Sequence, residues 1–145
     1  MRTFILLLLI TTTAAAQEHV LVKSGFGAAG YDLVSYFDNE PQKGDKAFQT
    51  EYQGVKYKFA NQANLDSFKS NPDSYLPQYG GFCAYAMAVK GEKYGVNPKT
   101  YLITDGKLYL FYNKLGVNTK EKWEEEGPQE LTVKADSFYQ SLLQQ

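Results

Sequence analysis

Residues 101–112 read Tyr101-Leu102-Ile103-Thr104-Asp105-Gly106-Lys107-Leu108-Tyr109-Leu110-Phe111-Tyr112. Two apolar runs flank Asp105-Gly106, and both residues of this pair tolerate the positive φ that a tight hairpin turn requires. The stretch therefore predicts an antiparallel β-hairpin. Its second run is apolar at nearly every position, so both faces of that strand are expected to be buried.

An earlier part of the chain repeats this plan with a more polar pattern. Residues 47–52 and 55–59 flank Gln53-Gly54, and the apolar residues of the second run alternate with lysines. Because side chains alternate between the two faces of a strand, this hairpin is expected to expose one face to solvent. Residues 31–37 form a further apolar run that is typical of a strand.

Short helices are predicted between and after the hairpins. Asn61 or Asn64 can cap a first helix, and a second is predicted over residues 81–89. Asn118-Thr119-Lys120-Glu121 resembles a capping box that opens a helix containing Trp123. A final amphipathic helix is marked by apolar residues three or four apart, at Leu131, Ala135, Phe138 and Leu142. The predicted fold class is α+β, with two antiparallel β-hairpins interleaved with short helices and a C-terminal amphipathic helix.

The N-terminus has the three parts of a secretory signal peptide. Arg2 supplies a positive start, a short apolar run covers residues 4–10, and Ala14-Ala15-Ala16 offers a cleavage site. We therefore expect a signal peptide over residues 1–16, cleaved after Ala16, and a periplasmic or secreted mature protein. The apolar run is too short to span a bilayer, and no membrane span is expected elsewhere.

Length and charge limit the organisation of the mature chain and its partners. Residues 17–30 contain five Gly and Ala residues and few large side chains, so residues 17–28 are expected to be a flexible leader, followed by a single domain over residues 29–145. The 15 basic and 16 acidic side chains are interspersed, whereas nucleic acid requires concentrated Lys and Arg. No nucleic-acid partner is expected. The common catalytic motifs do not occur in the sequence, which favours a non-enzymatic role.

Cys83 is the only cysteine of the chain, in Tyr79-Gly80-Gly81-Phe82-Cys83-Ala84-Tyr85-Ala86-Met87. If the segment from Gly81 is helical, Cys83 lies near the first turn, where free backbone amides favour a thiolate. Met87 follows four residues later, on the same helix face. A thiolate and a thioether together suit Cu(I).

The same residues also suit a buried core. Free cysteine is among the most buried residue types, methionine fills irregular gaps, and Gly80-Gly81 permits either a tight helix entry or the close approach of a ligand. Three interpretations therefore stay open: binding of a soft metal or small ligand around Cys83, a redox role for the Cys83 thiol, and a structural or partner-binding domain with Cys83 as inert core.

The order of these motifs resembles that of small exported bacterial proteins with a YHS domain. The matching segments are residues 30–37, 52–59, 77–86 and 105–110, with the resemblance ending near Trp123. The resemblance implies a small α+β module related to the metal-binding cysteine modules that accompany heavy-metal pumps. In those modules a cysteine of the hairpin and helix region takes part in handling metal.

Two departures from the pump-associated relatives bear on the site. The first hairpin ends Lys58-Phe59-Ala60 without the cysteine that those relatives carry, and residues 87–89 contain neither His nor Ser. Of a site with several cysteines, only Cys83 is present. A homodimer or a periplasmic partner protein could supply further ligands.

The leading interpretation thus places Cys83 at the centre of a site for a soft transition metal or another small ligand. Met87 is expected as a second ligand, with Tyr79, Phe82 and Tyr85 shaping the site. A structural role is expected for five other residues, namely Gly80, Gly81, Asp105, Gly106 and Trp123.

Overall fold

A computed structural model describes residues 18–145, so the expected signal peptide lies outside the described residues. The larger strands are β3 (Asp45–Tyr52), β4 (Val55–Phe59), β5 (Asn97–Thr104) and β6 (Lys107–Phe111), preceded by β1 (Val22–Lys23) and β2 (Phe26–Gly27) and followed by β7 (Asn113–Lys114) and β8 (Val117–Asn118). The α-helices are α1 (Gln62–Ser70), α2 (Ala84–Lys90), α3 (Thr119–Glu126) and α4 (Pro128–Leu143). The strands pair as β1–β2, β3–β4, β5–β6 and β7–β8, and each pair is a two-stranded antiparallel sheet. The α+β class is confirmed.

Both predicted hairpins are present in the expected register. Tyr52 pairs with Val55 across the first turn and Thr104 with Lys107 across the second. Asp105 and Gly106 have φ values of 51° and 71°, the left-handed conformation that the Asp-Gly pair predicts. The β4 side chains alternate between buried and more exposed positions, whereas four consecutive β6 residues are buried.

The run at residues 31–37 is not a strand, which corrects the prediction. Tyr31 makes only an isolated bridge to Lys43, and Ser35–Asp38 is a 3-10 helix. The cause is Asp32, whose carboxylate accepts hydrogen bonds from the backbone N–H groups of Val34 and Ser35. Such local side-chain bonds turn the backbone away from an extended conformation, whatever the strand propensity of the run.

Two hydrophobic clusters form the core. The first lies between the β3–β4 hairpin and α1 and includes Phe59 and Phe68, whose ring centroids lie 4.9 Å apart. The second joins α2, β6, α3 and α4 around Trp123, which is 1% exposed. The final helix contributes Leu131 and Ala135 to this cluster and packs Leu142 against it, as its periodicity predicts, whereas Phe138 is 44% exposed.

The segment expected as a flexible leader packs against the domain from residue 18 onward. Tyr139 donates a hydrogen bond to the His19 carbonyl, and the Leu21 N–H donates to the Gly80 carbonyl over 2.8 Å. Phe26 is buried beneath the Lys58 ammonium. Gly27 permits close packing here, because a Cβ at this position would overlap the Tyr57 ring. Within residues 18–145, no helix has both the length and the apolar character needed to cross a bilayer.

Candidate functional site

The glycine pair before Cys83 sets the position of its backbone. Tyr79, Gly80 and Gly81 all have positive φ, at 57°, 62° and 84°. This left-handed run delays the start of α2 to Ala84, three residues later than predicted, and makes Cys83 the N-cap. The Cys83 N–H donates a hydrogen bond to the Tyr94 carbonyl over 2.9 Å, and the Cys83 carbonyl accepts one from the Met87 N–H over 3.0 Å. These two bonds fix the backbone of Cys83 at the helix start.

The Cys83 sulfur is surrounded by polar hydrogens. It accepts hydrogen bonds from the N–H of Ala86, at 3.5 Å, and from the N–H of Tyr112, at 3.4 Å. The first is the bond that Ser or Thr makes as an N-cap, with sulfur in place of oxygen. The Thr119 hydroxyl lies 3.3 Å from the same sulfur.

The Thr119 hydroxyl defines where the thiol proton lies. It donates its single hydrogen to the Tyr112 carbonyl over 2.8 Å, so it accepts from the Cys83 S–H when the thiol is protonated. Once the thiol is deprotonated, the hydroxyl can rotate towards the sulfur, which then faces three donors. The site therefore offers hydrogen-bond partners both to the thiol and to a thiolate.

A cavity of about 280 Å³ lies over Cys83. Lys90 and Lys122 contribute the positive charges of its lining. Three large apolar side chains of the lining are unusually exposed, namely Val89 at 42%, Tyr94 at 43% and Val117 at 43%. Cys83 belongs to the floor but is itself 0% exposed, so a ligand reaches the sulfur only when the side chains around it shift.

The structure brings together some of the predicted site residues and separates others. Tyr85 lines the Cys83 cavity, and its hydroxyl donates to Glu126 over 2.8 Å. Met87 is 0% exposed within the Trp123 cluster and is not part of the cavity lining. Phe82 packs against that cluster, and Tyr79 lines a different cavity. Cys83 and Tyr85 are thus the two predicted ligand-site residues that share one cavity.

The glycines expected to be structural have distinct reasons for their identity. A Cβ at Gly80 would overlap the His19 carbonyl oxygen, so this glycine allows the N-terminal segment to approach. Gly81 needs its positive φ, and a Cβ there would crowd Pro77 at 3.3 Å. A Cβ at Gly106 would meet nothing within 4 Å, so Gly106 is required by the turn conformation alone.

Within residues 18–145, Cys83 and Met87, the residues expected as metal ligands, do not line the same cavity. Among residues 18–145, no group of three or more His, Cys, Asp and Glu side chains is placed to hold a metal ion. Among the described residues that line the Cys83 cavity, Cys83 is the only cysteine, methionine or histidine. These residues fit one position in the coordination shell of a soft ion, and the remaining ligands would come from outside the chain.

Asp32 is a residue whose role the sequence did not predict. It is 0% exposed, and its two carboxylate oxygens accept from Val34, Ser35 and Ala60 N–H groups and from the Asn64 side chain. These bonds join the 3-10 helix at residues 35–38, the end of β4 and the start of α1. Asp32 is therefore a structural centre of the first half of the domain.

These features define a small α+β domain with a buried, hydrogen-bonded thiol at a helix start. The family model of the YHS domain matches residues 34–79, so this part of the chain is a YHS domain. The matched segment contains the first hairpin and α1 and ends at Tyr79, before Cys83. Comparisons with curated proteins and with solved structures give no match.

Proposed function

We propose that this YHS-domain protein is exported and that it binds a soft metal ion of the Cu(I) type through Cys83, without catalysing a reaction. The observation that carries the proposal is the convergence of the Ala86 and Tyr112 N–H groups and the Thr119 hydroxyl on the Cys83 sulfur, beneath an open cavity. These donors can hydrogen-bond a thiolate, which is the form of cysteine that binds Cu(I).

The second ligand of the ion is proposed to be a small thiolate that enters with it. Cys83 lies at the floor of its cavity and is 0% exposed, so a small thiolate needs a smaller shift of the surrounding side chains to reach the ion than the Cys83 of a second chain does. A Cu(I) ion with two thiolates carries a net negative charge, which Lys90 and Lys122 complement. The cavity has room for such a co-ligand.

A competition titration tests the proposal. Reduced protein is titrated with Cu(I) against a chromophoric chelator, with and without a small thiol. We expect one ion per chain, bound more tightly with the thiol present, and loss of that binding in Cys83→Ser. The matched control is Met87→Leu, which removes the thioether but keeps the core filled and is expected to bind as the wild type does. Unchanged affinity in Cys83→Ser would overturn the proposal.

Export is tested separately. The basis is the arrangement of Arg2, the apolar run at residues 4–10 and the Ala14–Ala16 site. N-terminal sequencing of protein recovered outside the cytoplasm should begin at Gln17. Recovery of a chain that retains residues 1–16 from the cytoplasm would contradict export.

A structural role for Cys83 is a second candidate, favoured by its 0% exposure. In that case Cys83→Ser and Cys83→Ala would lower the free energy of unfolding by roughly 1 kcal/mol, as single core changes commonly do, and leave ligand binding unaltered. A redox role requires an accessible sulfur, and the burial of Cys83 does not favour it.

A further inference from the structure

A second cavity, larger than the one at Cys83, lies away from that residue. It has a volume of about 440 Å³ and opens between the β3–β4 turn, residues 76–80 and the C-terminal half of α4. Four tyrosines line it, namely Tyr52, Tyr57, Tyr79 and Tyr139. Its size is within the range of cavities that hold small organic molecules.

The hydroxyl groups of this cavity are arranged mainly as acceptors. Tyr52 donates its hydrogen to Asp73, Tyr79 to Asp136, and Tyr139 to the His19 carbonyl. A tyrosine that has donated its hydrogen keeps only lone pairs for a ligand. Three of the four hydroxyls can therefore accept a hydrogen bond from a bound molecule but cannot donate one.

Of the four tyrosines that line this cavity, Tyr57 is the one whose hydroxyl has no hydrogen-bond partner within residues 18–145. The residue as a whole is 3% exposed. Within residues 18–145, the only fully buried side-chain N or O atom without a hydrogen bond is His19 Nδ1. The Tyr57 hydroxyl oxygen is therefore not fully buried, and among these residues it is available to hydrogen-bond a molecule in the cavity.

Among residues 18–145, the charge that lines this cavity is negative. Asp136 is the only charged residue of the described chain that lines the cavity, and no Lys, Arg or His of this part of the chain does so. One oxygen of Asp136 is bound by Tyr79, and within the described residues the other makes no hydrogen bond. Gln53, Gln78 and Gln140 add amide groups that can accept hydrogen bonds. The lining therefore disfavours an anion and suits a molecule with positive charge and N–H donors.

We propose that this cavity binds a small organic amine in its protonated form. The ammonium lies beside Asp136 and the tyrosine hydroxyls, and the apolar body packs against the rings and against Val55 and Leu76. Tyrosine faces also attract cations, which adds to the selection of an ammonium over a neutral group. This site is independent of Cys83 and of any metal.

Calorimetric titration of the full chain with three matched probes tests the proposal. These are 2-phenylethylamine, the neutral 2-phenylethanol and the anionic phenylacetate. Because Asp136 is an exposed residue, its attraction is screened, and we expect the amine to bind about fivefold more tightly than the alcohol. Phenylacetate should bind most weakly.

Three variants identify the groups responsible. Asp136→Asn keeps an acceptor for Tyr79 and is expected to abolish the preference for the amine over the alcohol. Tyr57→Phe is expected to weaken the amine severalfold without unfolding the protein, since the Tyr57 hydroxyl makes no hydrogen bond in the described chain. Tyr94→Phe, in the Cys83 cavity, is the control and should bind as the wild type does. Equal binding of amine and alcohol, or no binding of any probe, would overturn the proposal.

Discussion

The Cys83 sulfur and the Thr119 hydroxyl lie 3.3 Å apart, although 36 positions separate them along the chain. The contact joins the start of α2 to the start of α3, and through the Thr119 bond to the Tyr112 carbonyl it reaches the end of β6. A small polar network of Cys83, Thr119 and Tyr112 therefore joins three elements around the thiol. Each of these residues has a hydrogen-bond partner within the network.

Thr119→Val should destabilise the protein by about 1–2 kcal/mol. The substitution keeps the shape of the side chain but leaves the Cys83 S–H without an acceptor and the Tyr112 carbonyl without this donor, and unpaired buried polar groups are costly. Urea unfolding followed by tryptophan fluorescence measures the change, because Trp123 lies on α3. Thr119→Ser restores the hydroxyl and is expected to recover most of the loss. A valine variant as stable as the wild type would show that the network contributes nothing.

Gly80→Ala should cost more than about 2 kcal/mol. The Cβ would overlap the His19 carbonyl oxygen and add to the strain of a positive φ. Gly106→Ala is the matched control, because its φ is also positive, at 71°, but a Cβ there meets nothing within 4 Å. It is expected to cost only about 1 kcal/mol, the penalty of the conformation itself. Equal losses in the two variants, measured by denaturant unfolding, would refute the close approach of the N-terminal segment.

Asp32→Asn should lower the free energy of unfolding by about 2–4 kcal/mol. Four donors point at the two carboxylate oxygens, and an amide supplies one oxygen while turning an NH₂ group towards the remaining donors. Asp66→Asn is the control, since Asp66 is exposed and accepts only from Gln62. It should change stability by less than about 0.5 kcal/mol. A change in the free energy of unfolding as small as that of the control would contradict the structural role of Asp32.

Stability should fall as the pH rises above about 10. Burial raises the pKa of Tyr57, and burial followed by the hydrogen bond to Asp136 raises the pKa of Tyr79. Unfolded tyrosines ionise at a pKa near 10, so above that pH the unfolded state binds fewer protons and is favoured by about 1.4 kcal/mol per pH unit for each such tyrosine. The stabilisation is fully present below pH 10.

Urea unfolding at pH 9 and pH 11 measures this dependence. Tyr57→Phe removes one of the titrating groups and leaves no hydrogen bond unmade within residues 18–145, so its stability should fall by about 1.4 kcal/mol less over that interval. The same fall in the variant and the wild type would show that Tyr57 ionises normally in the folded protein.

The parts of the fold that local chemistry determines could be predicted from the sequence. The Asp105-Gly106 turn, the alternation in β4 and the cap at Asn61 each depend on neighbouring residues, and each is present as expected. The run at residues 31–37 could not be predicted in this way. Its conformation depends on Asp32, whose carboxylate is bound at the same time by Ala60 and Asn64 from distant parts of the chain.

The candidate site was predictable only in part for the same reason. The position of Cys83 at a helix start follows from its own segment, but its hydrogen-bond partners Tyr112 and Thr119 come from β6 and α3. Helical spacing predicts Met87 on the face of Cys83, yet Cys83 is the N-cap, outside the helix, and Met87 packs into the Trp123 cluster. The cavity lined by Tyr52, Tyr57, Tyr79 and Tyr139 is formed by residues from four separate segments. No local sequence pattern predicts it.

X-ray diffraction at the copper absorption edge tests the central claim most directly. Crystals of the reduced protein loaded with Cu(I) and a small thiol should give an anomalous peak within bonding distance of the Cys83 sulfur, inside the cavity lined by Lys90 and Lys122. Crystals of Cys83→Ser prepared in the same way should lack that peak. Copper bound elsewhere with no peak at Cys83, or a peak that persists in Cys83→Ser, would contradict the account.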